Sequence, residues 1–307
     1  AMRMPARAAG RVTRRSDWTG AALCALGLAG PTYGLIQQPD HGWSDPMVAV
    51  PILAGLGFFA AFLAWERRVA DPMLPLGLFR RGNFAWGNVE TFATYGGLGA
   101  MFFVLVLFLQ QVGGFTALEA GVATLPITIV MFALARRFGA LADRMGPRVF
   151  MGVGPLVCAS GVLLQIALID TDPSLAEVLP GVTLFALGLS MTVAPLTAAI
   201  LADADQSNAG IASGVNNAVA RVASLLATAA VGVVVGGTLD LSGFRTALGF
   251  AAGLFVLAGL SGLLFIRNAP RRDVHAEDCA GAALHAAPLD AAKPATPLVP
   301  AAAGPAR

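Results

Sequence analysis

Charged side chains are scarce in this sequence, 12% of 307 residues against roughly 25% in an ordinary soluble domain. That scarcity excludes a surface facing water on all sides. Lysine is nearly missing, since Lys293 is the one lysine among 20 basic residues. The three cysteines lie too far apart for a disulfide framework or a metal-ligand spacing. Cys24 and Cys158 fall in apolar stretches and read as small packing residues, and Cys279 falls in a polar tail. The three histidines, His41, His275 and His285, fall in expected loop or tail, so no metal site and no cofactor is expected. No glycine-rich loop ends in lysine with serine or threonine, which argues against ATP-driven pumping, and no serine, histidine and acid grouping suggests hydrolysis. Gly55-Leu56-Gly57 lies in an apolar run and follows no strand, so it is no dinucleotide site. The arginines are spread along the flanks of apolar runs, which argues against a nucleic-acid partner. The chain is not expected to be an enzyme.

What the sequence has in abundance is apolar length. Hydrophobic residues make up 56% of the chain, with a mean hydropathy of +0.72. A helix that crosses a bilayer needs about 20 mainly apolar residues, and eight such runs fall near 18–37, 47–66, 84–111, 117–138, 148–169, 176–202, 210–236 and 244–266. The connections are short and rich in turn formers, as in Gln38-Pro39-Asp40-His41-Gly42 and Asp170-Thr171-Asp172-Pro173-Ser174, where proline and aspartate favour leaving the helix. The expected fold class is an all-α integral membrane protein of about eight transmembrane helices, with the lipid bilayer as its main partner. Residues 1–16 read as a basic flank and not as a signal peptide, because no cleavage pattern follows the first apolar run. From about Asn268 onward alanine and proline with scattered charges predict a disordered tail.

Arginine placement predicts orientation, because cytoplasmic loops carry the excess of basic residues. Arg67, Arg68, Arg80 and Arg81 lie between runs two and three, and Arg136, Arg137, Arg144 and Arg148 between runs four and five. The connections 38–46, 112–116 and 170–175 hold no lysine or arginine. Arg3, Arg7, Arg11, Arg14 and Arg15 precede the first run, and Arg267, Arg271 and Arg272 follow the last. Both termini are therefore expected in the cytoplasm of a multi-pass protein of the cell membrane. Segment 203–209, with Asp203 and Asp205 but no arginine, gives that assignment no help, and Arg245 alone is expected outside.

Several segments, in chain order, resemble the 14-helix drug:proton antiporter branch of the major facilitator superfamily. Asp17-Trp18-Thr19-Gly20 resembles the start of that family's seventh helix, one of two extra central helices. Asn83-Phe84-Ala85-Trp86-Gly87-Asn88 and Phe108-Leu109-Gln110-Gln111 resemble the two ends of the ninth. Leu125-Pro126-Ile127-Thr128 and then Gly139-Ala140-Leu141-Ala142-Asp143-Arg144-Met145-Gly146-Pro147-Arg148 resemble the tenth helix and the C-terminal copy of the family's glycine-x-x-x-aspartate-arginine-x-glycine loop. Ala194-Pro195-Leu196-Thr197 and Gly210-Ile211-Ala212-Ser213-Gly214 resemble the twelfth and thirteenth. Read from the residues alone, 139–148 is a tight cytoplasmic turn in which Gly139 and Gly146 permit close approach and Asp143 is able to meet a helix N-terminus. The resemblance makes Gly139, Asp143, Arg144, Gly146 and Arg148 a gating motif. It covers roughly residues 17–266 and divides the chain into extra helices at 17–66, a linker at 67–83, a six-helix C-terminal bundle at 84–267 and the tail at 268–307. It implies proton-coupled efflux of small amphipathic compounds. Counterparts of the family's first six helices are not found, so the chain is expected to be incomplete and to transport nothing without a separate N-terminal half; the alternative is a non-transporting fragment or half-subunit.

An ionisable group at bilayer depth costs roughly 2.5–3.5 kcal/mol on insertion scales and marks a functional site by default. Glu90 and Arg221 qualify, about 10 Å and 16 Å beyond the cytoplasmic starts of their helices at 1.5 Å per residue. Three readings stand for Glu90: a proton-coupling group, a fixed structural pair with Arg221, or a carboxylate that reaches water at the inner face. Asn88, Thr91, Thr94 and Tyr95 continue the polar side of the same helix, and Asn216 and Asn217 precede Arg221 by about one turn. Together with Thr197 they are candidates for lining a substrate cavity or for helix-to-helix hydrogen bonding. Gly152, Gly154 and Pro155, and a break at Pro195, are expected to serve packing and bending.

Overall fold

The computed structural model describes residues 17–69, 72–202, 209–236 and 239–268. The arginines of the N-terminal flank, Asp203, Asp205 and the tail beyond Asn268 lie outside the described residues. Eight helices follow in order: α1 Trp18–His41, α2 Pro46–Glu66, α3 Gly82–Gln111, α4 Ala117–Met145, α5 Pro147–Leu168, α6 Leu175–Ala202, α7 Ala209–Val235 and α8 Leu241–Phe265, with a short 3₁₀ turn at Leu76–Arg80 before α3. Each of the eight is long and apolar enough to cross a bilayer, and no strand occurs among the described residues. The protein is an all-helical, multi-pass membrane protein.

Where the helices begin at the arginine-poor end, polar side chains satisfy backbone N–H groups that have no partner inside a first turn. Asp45 Oδ1 accepts from Met47 N–H at 2.7 Å, Asp240 Oδ1 from Gly243 N–H at 2.7 Å, and Thr116 and Glu119 form a reciprocal capping box at α4. At the arginine-bearing end Asp17 caps α1 by accepting from Gly20 N–H at 2.8 Å.

Three expectations change. Pro39 does not end α1, which continues for a further half-turn to His41 and closes at Gly42 with φ +78°. Helix α6 runs through Pro195 to Ala202 without a break. The expected turn at 139–148 shrinks to Gly146, because Ala140, Leu141, Ala142 and Met145 are strong helix formers and α4 continues to Met145. Gly139, Arg136, Arg137, Asp143 and Arg144 are therefore helical, and Gly146 makes the turn with φ +91°.

The tightest crossing is α5 against α6, where small residues let two backbones touch. A Cβ on Gly161 would strike the Phe185 backbone, and one on Gly188 would lie 2.6 Å from the Gly154 carbonyl oxygen. Gly154 and Gly161 on α5, and Gly181 and Gly188 on α6, are each seven residues apart, so one face of each helix is stripped along two turns. Gly152 likewise admits Leu263 of α8. Helices α1 and α2 form a hairpin, and α1 also packs on α7.

Buried apolar residues form two clusters. One, toward the arginine-poor end, joins Leu105 and Phe108 of α3, Val162 of α5, Phe185 of α6 and Phe255 of α8. The other, toward the arginine-bearing end, joins Phe84, Met151, Leu196, Ile200 and Ile266.

Candidate functional site

Between the two apolar clusters lies a polar layer. On α3 the clusters stop at Phe84 and resume at Ala100, and the residues between include Asn88, Glu90, Thr91 and Thr94, all buried. On α6 they stop at Leu189 and resume at Leu196, leaving Ser190 and Thr192 buried between them. Helix α7 brings Asn216 to the same level.

Glu90 is fully buried, about 12 Å along α3 from Gly82 at 1.5 Å per residue. Neither of its carboxylate oxygens has a hydrogen-bond partner. The Asn88 amide donates to Phe84 O at 2.8 Å within its own helix, leaving its own oxygen without a partner, and the Thr94 hydroxyl has none either. Thr91 Oγ1 donates to Asn216 Oδ1 at 2.7 Å, the one polar bridge between α3 and α7 in this layer among the described residues. Tyr95 is half-buried one turn further on.

Arg221 does not meet Glu90. It is exposed, and the azimuth of each residue explains why. Glu90 and Gly97 are seven residues apart and so share a face of α3, and that face abuts Phe255 of α8. Helix α7 lies against a neighbouring face, closest at Gly99 beside Ser224, with Gly96 between α7 and Leu254 of α8. Arg221 shares an exposed strip of α7 with Asn217, four residues before it, and Thr197 of α6 is also exposed, its hydroxyl bonded to Val193 O at 3.1 Å. The fixed Glu90–Arg221 pair is thus not formed, and the candidates divide into a sealed group (Asn88, Glu90, Thr91, Thr94) and an open group (Thr197, Asn217, Arg221), with Asn216 and Tyr95 between.

At the arginine-bearing end, Gly146, Arg148 and the exit of α8 form a clasp. The Arg148 guanidinium donates from Nε to Leu263 O at 2.8 Å, and its backbone N–H donates to Asn268 Oδ1 at 3.1 Å. Gly146 is the N-cap of α5 and has no side chain to cap with; Asn268 supplies that acceptor from the segment just beyond α8. Asp143, expected to meet a helix N-terminus, instead lies exposed in the last turn of α4, as does Arg144. Asn83 and Arg267 exchange two hydrogen bonds of 2.9 Å, and Trp86 stacks on Phe265 with centroids 3.7 Å apart.

Gln165 of α5 escaped the sequence reading. It is fully buried, with neither side-chain polar atom partnered, and a polar amide inside Leu163-Leu164-Gln165-Ile166 is the same kind of signal that singled out Asn88 and Asn216. The Asn83 and Asn268 contacts had no sequence signal, because both lie at helix ends where asparagine is ordinary.

The eight apolar helices agree with a direct comparison of sequences, in which the profile of the Major Facilitator Superfamily matches residues 18–228. The chain belongs to the major facilitator superfamily. Among curated members, the cephamycin export protein of Amycolatopsis lactamdurans is 32% identical over 210 residues, 68% of this chain and 43% of that protein. The methylenomycin A resistance protein of Bacillus subtilis is 31% identical over 239 residues, 76% of this chain and 50% of that protein. The tetracenomycin C resistance and export protein of Streptomyces glaucescens is 30% identical over 225 residues, 73% of this chain and 41% of that protein. The match thus takes in half or less of each of these facilitator proteins.

Proposed function

We propose that this chain is the C-terminal portion, helices seven to fourteen, of a 14-helix drug:proton antiporter. Joined to a facing six-helix half, it exports small amphipathic compounds from the cell in exchange for protons. In this reading the arginine-bearing end and both termini face the cytoplasm. The observation that carries it is Glu90, a carboxyl group enclosed about 12 Å along α3, with no hydrogen bond and no cation beside it among the described residues. A charge in such a place is costly when the site is sealed and much less so when water reaches it, so alternate opening and closing of the wall around α3 exchanges a proton at that carboxyl. The open group, Thr197, Asn217 and Arg221, supplies hydrogen bonds and one positive charge to the side where a substrate and the facing half would lie. Asp143 and Arg144, exposed in the last turn of α4, serve as a gate at the arginine-bearing end, while Gly146 and Arg148 hold α5 to α8.

The surface of α4 is compatible with a facing half. Helix α4 leaves Leu118, Val122, Leu125, Ile129 and Phe132 exposed, the last 92% so. Those residues recur at helical spacing, and they suit contact with another apolar helix layer or with lipid. A half-subunit completed by a separate chain is consistent with the same face.

Proteoliposomes with an imposed pH gradient test the reading. The chain alone is expected to move no dye, and robust flux would overturn the requirement for a second half. Paired with the N-terminal half of the tetracenomycin C relative, it is expected to drive efflux that Glu90→Gln abolishes. Unchanged gradient-driven efflux in that variant would remove Glu90 from coupling.

A further inference from the structure

We propose that a cavity between the α1–α2 hairpin and α7 holds an acyl tail of an anionic phospholipid, with the phosphate at Arg67, Arg68 and Arg80. The cavity measures about 630 Å³, inside the roughly 300–1,000 Å³ of sites that enclose a small molecule. Leu28 of α1, Phe59 of α2, Phe92 of α3, and Val215 and Val222 of α7 contribute to its walls, and Met73 closes it from the segment before the 3₁₀ turn. Its lining side chains are hydrocarbon except for the thiol of Cys24 and the thioether of Met73. No side chain there forms a strong hydrogen bond or carries charge, so the enclosed part of a ligand must be hydrocarbon, and the hydrocarbon that surrounds a membrane helix is lipid tail.

The ends of the lining elements identify the head group. Leu63 lines the cavity one turn before Arg67, and Phe79 lines it immediately before Arg80. Arg67, Arg68 and Arg80 are all exposed. Among the described residues, the two acids beside this mouth each accept an internal hydrogen bond, and Asp71 of the same connection lies outside the described residues. Glu66 is 4% exposed and its Oε2 accepts from Leu74 N–H at 3.1 Å, while Asp17 accepts from the Trp65 indole at 3.0 Å. Three exposed arginines against Asp71 leave the mouth net positive above an apolar chamber, which favours an anionic amphiphile over a neutral or cationic one.

This site is distinct from the polar layer. Gly214, Val215, Ala218 and Val222 form its α7 wall, whereas Asn217 and Arg221 lie along the neighbouring exposed strip. The inference does not rest on the transport reading, and either stands if the other fails.

Two glycines make the test clean. A Cβ at Gly214 meets nothing within 4 Å, so a side chain can start there without a clash, and Gly214→Phe directs a ring at the cavity that Gly214 lines. Gly57, equally open and exposed on α2, does not line the cavity, and Gly57→Leu is the control. The purified full chain is examined by native mass spectrometry with added phosphatidylglycerol, phosphatidylcholine of the same tails, or oleate. One phosphatidylglycerol should be retained in preference to phosphatidylcholine, kept in Gly57→Leu and lost in Gly214→Phe. Arg80→Gln should weaken retention about fivefold, the factor expected for one basic residue beside an anionic surface. Equal retention by Gly214→Phe and the unaltered chain would overturn the site. Equal retention of the two phospholipids, or retention of oleate in their place, would overturn the anionic-phospholipid assignment.

Discussion

Arg148, in the first turn of α5, donates through Nε to the carbonyl of Leu263, in the last turn of α8, at 2.8 Å. Leu263 is among the last four residues of its helix, whose carbonyls have no partner within the helix and carry the negative end of its dipole. A side chain retained merely as positive charge would be replaceable by lysine, which cannot reproduce the planar guanidinium fork. Arg148→Lys is therefore expected to cost about 1–2 kcal/mol, the range for a charged hydrogen bond replaced imperfectly, read as a lower thermal midpoint in detergent. A midpoint equal to that of the unaltered chain would reduce Arg148 to a topology signal.

Asn268 acts as the cap that Gly146 cannot provide. Asn268→Ala should cost about 1 kcal/mol, the usual loss on removing a cap acceptor, and Asn268→Asp should restore most of it. Chemical denaturation in mixed micelles would show this as a shift in midpoint without a change in slope. Indifference to both substitutions would mean that water caps α5 equally well.

The bridge from Thr91 to Asn216 invites a double-mutant cycle. Hydrogen bonds between membrane helices average about 0.6 kcal/mol and reach about 1.7. Thr91→Val and Asn216→Leu, alone and together, should give a coupling energy within that span. A coupling of zero would show that the two side chains do not meet in the membrane.

Glu90 should separate stability from function. Its carboxyl has no hydrogen bond to lose, so Glu90→Gln is expected to fold at least as stably as the unaltered chain, while proton-driven efflux in the paired assembly falls to background. Loss of folding in that variant would assign Glu90 a structural partnership instead.

The crossing of α5 and α6 gives the largest stability prediction. Inserted side chains in a packed interior commonly cost about 1–3 kcal/mol, and at Gly161 the obstruction is the Phe185 backbone, which cannot move aside by changing rotamer. Gly161→Leu should therefore exceed that range and abolish monodisperse behaviour in detergent, whereas Gly57→Leu should be neutral. Tolerance of Gly161→Leu would refute the close crossing.

The eight spans were legible because each is a long, mainly apolar run, most of them ended by aspartate or glycine and two, α2 and α8, by charged residues and asparagine. The expected 84–111 corresponds to Gly82–Gln111 and 176–202 to Leu175–Ala202. Ends were less legible where no breaker intervenes: Phe138 to Met145 extends α4 because its residues favour helix, and only Gly146 stops it. Pro39 and Pro195 misled in the other direction, since a proline inside a helix removes one hydrogen bond and leaves the rest of the helix able to continue. Within the candidate site, helical rise indicated that Glu90 and Arg221 lie at similar depth, but depth carries no azimuth. Pairing also depends on how α3 and α7 are rotated against each other, and that is set by Gly96 and Gly99, whose role cannot be read from spacing on either helix alone.

Two helices that meet backbone to backbone have nothing left to trim. Substitution along the Gly154, Gly161, Gly181 and Gly188 faces can only push α5 and α6 apart, and no gradual sliding is open to them, because the protruding atoms are carbonyls and amides fixed in the ladder of each helix. The pair behaves as a keel. Any rocking of this molecule must hinge elsewhere, and a probe placed on α5 and another on α6 should keep their separation in every state the protein visits.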